Sequence, residues 1–212
     1  MSLVLNEDQV ILKQSAADFV KKESPVSRVR KLRDERDPDG FSRVLWRKMA
    51  ELGWQGMLIP EQYGGLSMGY VDLTCVLEEC GRNLVPEPLL STVALGANAV
   101  LLGGSEEQKR DVLPRVADGS LVMTVAYQEK ASRYDLAKVA CRAERRGSGF
   151  VLDGEKTLVL DGHVADLLVV AARTSGSSGD ARGVSLFLVP RGTPGLETRR
   201  QEGVHLRNVA VV

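Results

Sequence analysis

A chain of 212 residues has room for one large domain or two small ones, and a fold of this size buries roughly 70% of its unfolded surface without needing disulfides or metal. Its 28 basic and 28 acidic residues cancel to zero net charge, which excludes a nucleic-acid binder working through a general basic field. Hydrophobic residues at 43% and charged residues at 26% match an ordinary soluble globular protein; the longest apolar run, Leu167 to Ala172, is far short of the roughly 20 residues of a membrane span.

The N-terminus lacks the basic and apolar regions of a secretory signal. Three cysteines, Cys75, Cys80 and Cys141, are odd in number and have no metal-ligand spacing, so they read as reduced thiols and point to a cytoplasmic location. Cys75 and Cys80 read as buried helix residues, not as a redox pair.

The apolar spacing is helical up to about residue 119. Asn6 with Gln9 makes a capping box, with Leu5 and Val10 as its staple, opening a helix whose stripe is Leu12, Ala16, Phe19 and Val20 and which ends near Glu23, before Ser24-Pro25. Residues 27–40 are a charge run and read as a solvated, mobile connection. Ser42 caps a second helix, with Phe41 and Trp46 as staple, an inner face of Leu45, Met49 and Leu52, and Gly53 as its end. A glycine-rich loop, WQGMLIPEQYGGLSMG, leads to a third helix over 70–80. Pro86 and Pro88 break the chain before a fourth helix that reaches about Leu102. Ser105 with Gln108 is another capping box and opens a fifth helix, which Asp118-Gly119 closes.

From Ser120 the period changes to two. Strands are expected over 121–127, 139–145, 149–152, 157–160, 166–172, 184–189 and 204–211, with tight turns at Gly147-Ser148-Gly149 and Asp153-Gly154 and a flexible hairpin tip, TSGSSGDARG, over 174–183. The fold class expected is α+β: an all-α helical bundle over 1–119, then an antiparallel β-sandwich or barrel over 120–212.

Catalytic equipment is sparse. His163 beside Asp161, and His205 near the end, read as surface residues, and no nucleophile elbow, P-loop, dinucleotide fingerprint or metal triad is present. The order of segments carries more. IPEQYGG joins two helices, TVAYQE lies on a strand over 124–129, GSGFVLDGEKTLVLDG forms a hairpin over 147–162, and ADLLVVAART and GVSLFLVP follow. In this order and spacing the series resembles the acyl-CoA dehydrogenase family of flavoproteins, over its N-terminal helical domain and most of its middle β domain.

That resemblance implies FAD as cofactor and an acyl-CoA thioester as substrate, oxidised across its Cα–Cβ bond, with the flavin lying against the β domain. It implies electron-transfer flavoprotein or a similar acceptor as partner, a homo- or hetero-oligomer, and no nucleic acid or membrane span. The family's C-terminal four-helix domain, which supplies the catalytic Glu, is expected to be missing, so no catalytic residue is assigned and none of Glu61, Glu129 or Glu155 is taken as a substitute.

Two segments of the family touch the flavin. The positions implied here are Val125, Tyr127 and Gln128 in the first and Leu158 and Leu160 in the second; Ser132 and Tyr134 fall at the substrate side. Gln128 stands where the family has Thr, and its amide can still donate to the pyrimidine end of the ring. Tyr134 stands in place of Ser and is bulkier at the thioester entrance. Leu158 replaces an aromatic residue and Leu160 a hydroxyl residue, leaving apolar contact and a backbone N–H. Three readings follow: an FAD-dependent acyl-CoA dehydrogenase or one subunit of it; a non-catalytic partner subunit of a hetero-oligomer, since the Arg133-Tyr134-Asp135 variant resembles small subunits of pimeloyl-type and steroid side-chain dehydrogenases; or a same-fold flavin oxidase or monooxygenase. After GLETRR the stretch Gln201 to Gly203 is shorter than the family's.

Overall fold

The computed structural model describes residues 4–201 and 208–212. The chain divides into two units, Met1–Leu121 and Val122–Val212, the first helical and the second built on β-strands.

In the first unit α1 (Glu7–Glu23) starts at the expected capping box: Gln9 N donates to Asn6 Oδ1 at 2.8 Å and Asn6 N donates to Gln9 Oε1 at 3.1 Å. Its buried residues are Ala16 and Val20, while Val10 stays exposed. Asn6→Ala is expected to lower stability by about 1 kcal/mol, read from the midpoint of urea unfolding.

The charge run is not a mobile connection. Val26–Asp34 is a second helix, α2, with Val29 buried. Its anchor is Arg28, whose guanidinium donates to both carboxylate oxygens of Glu87 at 3.1 and 2.5 Å. Glu87 Oε1 also accepts from Ser42 N at 3.1 Å, so one buried carboxylate ties α2 to the start of α3 (Arg43–Glu51). The partner lies 59 positions away, and a reading of local charge therefore saw only solvated side chains.

In α3, Ser42 Oγ accepts from Leu45 N at 3.3 Å, and Leu45, Trp46 and Met49 are buried. Leu52, assigned to the inner face, lies outside the helix as its C-cap and is 49% exposed; Trp46 takes that place, its indole N–H donating to Gly119 O at 3.0 Å. The glycine-rich loop holds two 3₁₀ turns, Trp54–Gly56 and Glu61–Tyr63. It folds back on itself: Leu66 N donates to Gly56 O, Ser67 N to Ile59 O and Met68 N to Met57 O, at 2.7–2.9 Å.

Cys75 and Cys80 are buried on α4 (Tyr70–Arg82) and form no disulfide, as expected. The fourth expected helix begins as a π-helix over Leu90–Ala97 and continues as α5 (Asn98–Gly103). Then α6 (Glu106–Ala117) opens on the Ser105–Gln108 capping box.

Among the described residues the second unit holds two sheets. The larger joins β1 (Met123–Ala126), β2 (Arg142–Arg146), β3 (Gly149–Asp153), β5 (Leu167–Arg173) and β6 (Val184–Pro190); the smaller has the order β4 (Val159–Leu160), β8 (Val209–Val211), β7 (Arg199–Gln201). All seven residues of β5 are buried, as in a strand covered on both faces.

A purely antiparallel arrangement does not hold in the larger sheet. β1 runs parallel to β5, from Met123↔Leu167 to Ala126↔Val170, and β2 meets β5 in parallel at Arg142↔Arg173. The forty residues between β1 and β5 give room for the long connection that parallel strands require. The two-residue turn Gly147-Ser148 does close an antiparallel hairpin between β2 and β3, with Gly147 at φ +61°. Asp153-Gly154 is no hairpin turn: it carries the chain from the larger sheet to the smaller. A side chain at Gly154 would stand 2.6 Å from Cys141 Cβ. Strand β7 was not expected, and the 204–207 part of the last expected strand lies outside the described residues.

Candidate functional site

Every residue assigned above to the flavin or the substrate lies in the second unit. β1 ends at Ala126, and the chain leaves it as an irregular segment with Tyr127 exposed and Gln128 half-buried. Val125 is half-buried on the strand itself. Gln128 O accepts from Thr157 N at 2.8 Å. This backbone bond draws the two segments that the sequence keeps 29 residues apart into one surface, with Leu158 and Leu160 next in line.

Leu158 has φ +53° and is 55% exposed. The left-handed conformation costs an L-residue roughly 1–2 kcal/mol. The flanking bonds impose it: Thr157 N is held by Gln128 O, while Val159 and Leu160 pair with Ala210 and Val209 of β8. The strain thus presents an apolar side chain to the outside between two fixed backbone anchors. Beside it, the Gln128 amide makes no hydrogen bond among the described residues. An apolar ledge next to a free amide suits a flat heterocycle with one polar edge.

Beneath this surface lies a group that the sequence reading passed over. Lys156 is 1% exposed, and its ammonium donates to Glu129 Oε1 at 2.6 Å. Glu129 Oε1 also accepts from Cys141 N at 3.0 Å and Oε2 from Ala140 N at 2.8 Å. Burial alone would raise the Glu129 pKa; the lysine ammonium and the two backbone donors outweigh it and hold the carboxyl below the ordinary glutamate value. Lys156 N in turn donates to Val212 O at 2.7 Å, and Val212 N to Lys156 O at 2.9 Å. Glu129 is therefore held as a structural carboxylate. A lysine set between Gly154-Glu155 and the apolar run Leu158-Val159-Leu160 is the signal from which a buried partner follows.

The sign of its pH effect is fixed. A carboxyl whose folded pKa is depressed contributes stability above its unfolded value near 4.5, and that contribution is lost as the pH falls below it. Acid titration of stability is expected to steepen below about pH 4.5, and Glu129→Gln should flatten that region while lowering the neutral plateau.

Ser132 and Tyr134 lie on the turn that follows. Ser132 is buried: its hydroxyl donates to Glu129 O at 2.9 Å and accepts from Glu129 N at 2.8 Å, so its polar capacity serves the turn itself. Tyr134 is 97% exposed. His163 is half-buried in its turn, and His205 lies outside the described residues. A groove of about 880 Å³ in the same unit is lined by residues such as Leu152, Phe187, Leu196 and Val212 and includes none of the flavin- or substrate-side positions. Among the described residues no helix is long and apolar enough to cross a membrane.

Residues 6–120 match the family model of the acyl-CoA dehydrogenase N-terminal domain, and residues 124–210 match that of the acyl-CoA dehydrogenase middle domain. The chain belongs to the acyl-CoA dehydrogenase family. It is 39% identical over 155 residues to cyclohex-1-ene-1-carbonyl-CoA dehydrogenase of Geobacter metallireducens, covering 72% of this chain and 40% of that one. It is 30% identical over 200 residues to the mitochondrial isovaleryl-CoA dehydrogenase of Pongo abelii, covering 93% of this chain and 47% of that one. Among solved structures the ChsE4-ChsE5 complex from Mycobacterium tuberculosis is similar, with a TM-score of 0.85 at 27% identity, over all of this chain and 54% of that one. The chain spans about half the length of the relatives it matches over nearly all of its own length. Those relatives are oxidoreductases acting on acyl-CoA thioesters, and the family is one of flavoproteins.

Proposed function

We propose that this chain is the helical and β part of an FAD-dependent acyl-CoA dehydrogenase, or of one subunit of it. The observation that carries the reading is the surface made by Tyr127-Gln128 and Leu158–Leu160, joined by the Thr157–Gln128 backbone bond over the buried Glu129–Lys156 pair. The donor set suits FAD: the half-buried Gln128 amide faces no competing protein partner, and Leu158 offers apolar cover. Val125 and Tyr127 flank the ring, and Leu160 offers its backbone N–H. When bound, FAD supplies the oxidant, taking up the hydride equivalent that leaves the acyl β carbon.

The chain's own residues bind and orient. Tyr134, exposed at the tip of its turn, meets the acyl-CoA thioester and narrows its entrance; Ser132 shapes that turn from within. Electrons pass on to electron-transfer flavoprotein or a similar acceptor, and the protein works as an oligomer in acyl-CoA or lipid catabolism. Three buried cysteines outside any disulfide suit a reducing compartment such as the cytoplasm.

The purified protein is expected to be yellow, or to take up FAD stoichiometrically, and an acyl-CoA should perturb or bleach the flavin band. A folded, colourless protein that takes up no FAD overturns the proposal.

A second reading, a partner subunit without catalysis of its own, is favoured by the places of Leu158, Leu160 and Tyr134, which alter the flavin and substrate positions and leave the Glu129–Lys156 scaffold in place. It predicts co-purification with a homologous subunit and negligible turnover alone; an unaided homo-oligomer that oxidises acyl-CoA removes it.

Leu158→Gly separates the ledge from the scaffold. Glycine relieves the left-handed strain and adds chain entropy of about 0.5–1 kcal/mol to lose, so thermal stability should hold or rise slightly while FAD affinity falls.

A further inference from the structure

Arg173, at the end of β5, is 3% exposed, and no carboxylate stands within ion-pair distance of it among the described residues. Its guanidinium is satisfied by backbone carbonyls alone. Nε donates to Val139 O at 3.0 Å; Nη1 donates to Arg182 O at 2.8 Å and Ser175 O at 3.4 Å; Nη2 donates to Ala137 O at 2.7 Å and Asp180 O at 3.2 Å. Its backbone N–H adds a bond to Cys141 O at 2.8 Å.

These acceptors fall in two groups. Ser175, Asp180 and Arg182 belong to the 174–183 tip between β5 and β6. Ala137 and Val139 close the turn that carries Ser132 and Tyr134. One further bond joins the groups directly, Gly179 N to Ala137 O at 3.0 Å. Burying an unpaired cation is costly, and five oriented carbonyl dipoles offset that cost only while both loops keep their places. A planar fork with five donors satisfies this geometry; a lysine ammonium has three. The other limb of the Tyr134 turn is already pinned by Glu129, which accepts from Ala140 and Cys141. Tyr134 therefore rides on a loop fixed at its base by two buried charges of opposite sign.

We infer that Arg173 is a positioning residue for the substrate entrance: it locks the 174–183 tip to the turn bearing Tyr134, so that the two loops open as one unit. This rests on the reading of Tyr134 as a substrate-side residue, whereas the coupling of the loops does not, and the experiment reads the two separately.

In the unmodified protein, native-state hydrogen exchange should give the amides of Lys138, Val139 and Gly179 a common opening free energy. In Arg173→Lys these amides should exchange about tenfold faster, with β5 and β6 protection unchanged. In the FAD-loaded protein the same variant should weaken acyl-CoA binding about tenfold, read from the acyl-CoA-induced change in the flavin spectrum, while FAD affinity stays within about twofold. Independent opening of the two loops in the unmodified protein overturns the coupling, and that measurement needs no variant to fold. Coupled loops with acyl-CoA affinity unchanged in Arg173→Lys overturn the positioning role. Coupled loops in a protein that takes up no FAD leave the lock standing and refute the dehydrogenase reading alone.

Discussion

Lys156→Met is expected to destabilise the protein by about 3–5 kcal/mol at neutral pH, because it leaves the Glu129 carboxylate buried without its cation. The two backbone donors, Ala140 N and Cys141 N, remain and do not neutralise the charge. Glu129 then retains its charge at a cost or takes up a proton, so the loss should shrink as the pH is lowered toward the carboxyl range. Adding Glu129→Gln to Lys156→Met removes the stranded charge and keeps one acceptor for the backbone donors; the double variant should recover at least about 1 kcal/mol over the single one. Urea unfolding of the parent, the Lys156→Met and Glu129→Gln single variants and the double variant at pH 7 measures this cycle. Equal stability of Lys156→Met and the parent protein would mean that the pair contributes nothing. Because Thr157 follows Lys156 directly and donates to Gln128 O, the same substitution should also loosen the surface proposed for the flavin and, on that proposal, weaken FAD binding.

The second large effect is Gly65→Ala. An added Cβ would stand 2.0 Å from Ile59 O and 2.5 Å from Ile59 C, and backbone atoms cannot move aside cheaply. The fold-back bonds Leu66 N to Gly56 O and Ser67 N to Ile59 O hold the two strands of the loop at that distance. Relief requires breaking them, for an expected loss of about 3 kcal/mol. Gly64→Ala, at the adjacent position with φ +82° and open space around it, suffers only the left-handed strain of about 1–2 kcal/mol. A thermal scan of both variants should rank Gly65→Ala well below Gly64→Ala; the reverse order would refute the close approach.

Local chemistry was readable ahead of the structure. Asn6 with Gln9, and Ser105 with Gln108, announce helix starts through bonds three residues long, and both capping boxes form. The change of period near residue 120 separates helices from strands because each period is a property of neighbouring residues. What escaped is long-range. The Arg28–Glu87 bond spans 59 positions and turns a charge run into α2; the Glu129–Lys156 bond spans 27 and makes a scaffold from two motifs that each look like surface. The parallel pairing of β1 with β5 depends on which strand meets which, and period two says nothing of that. Of the proposed site, the order of motifs suggests the positions of Tyr127, Gln128, Leu158 and Leu160. The backbone bond that joins them, the left-handed Leu158 and the burial of Ser132 are properties of the folded chain.

In the proposed function the flavin ring lies on the surface made by Tyr127-Gln128 and Leu158–Leu160. Adding FAD to isotope-labelled protein and following backbone amide resonances tests it directly. The largest shifts are expected at Tyr127, Gln128, Leu158 and Leu160, with the Glu129–Lys156 scaffold intact. FAD binding whose shifts bypass those four residues, or no shifts at saturating FAD, would contradict it.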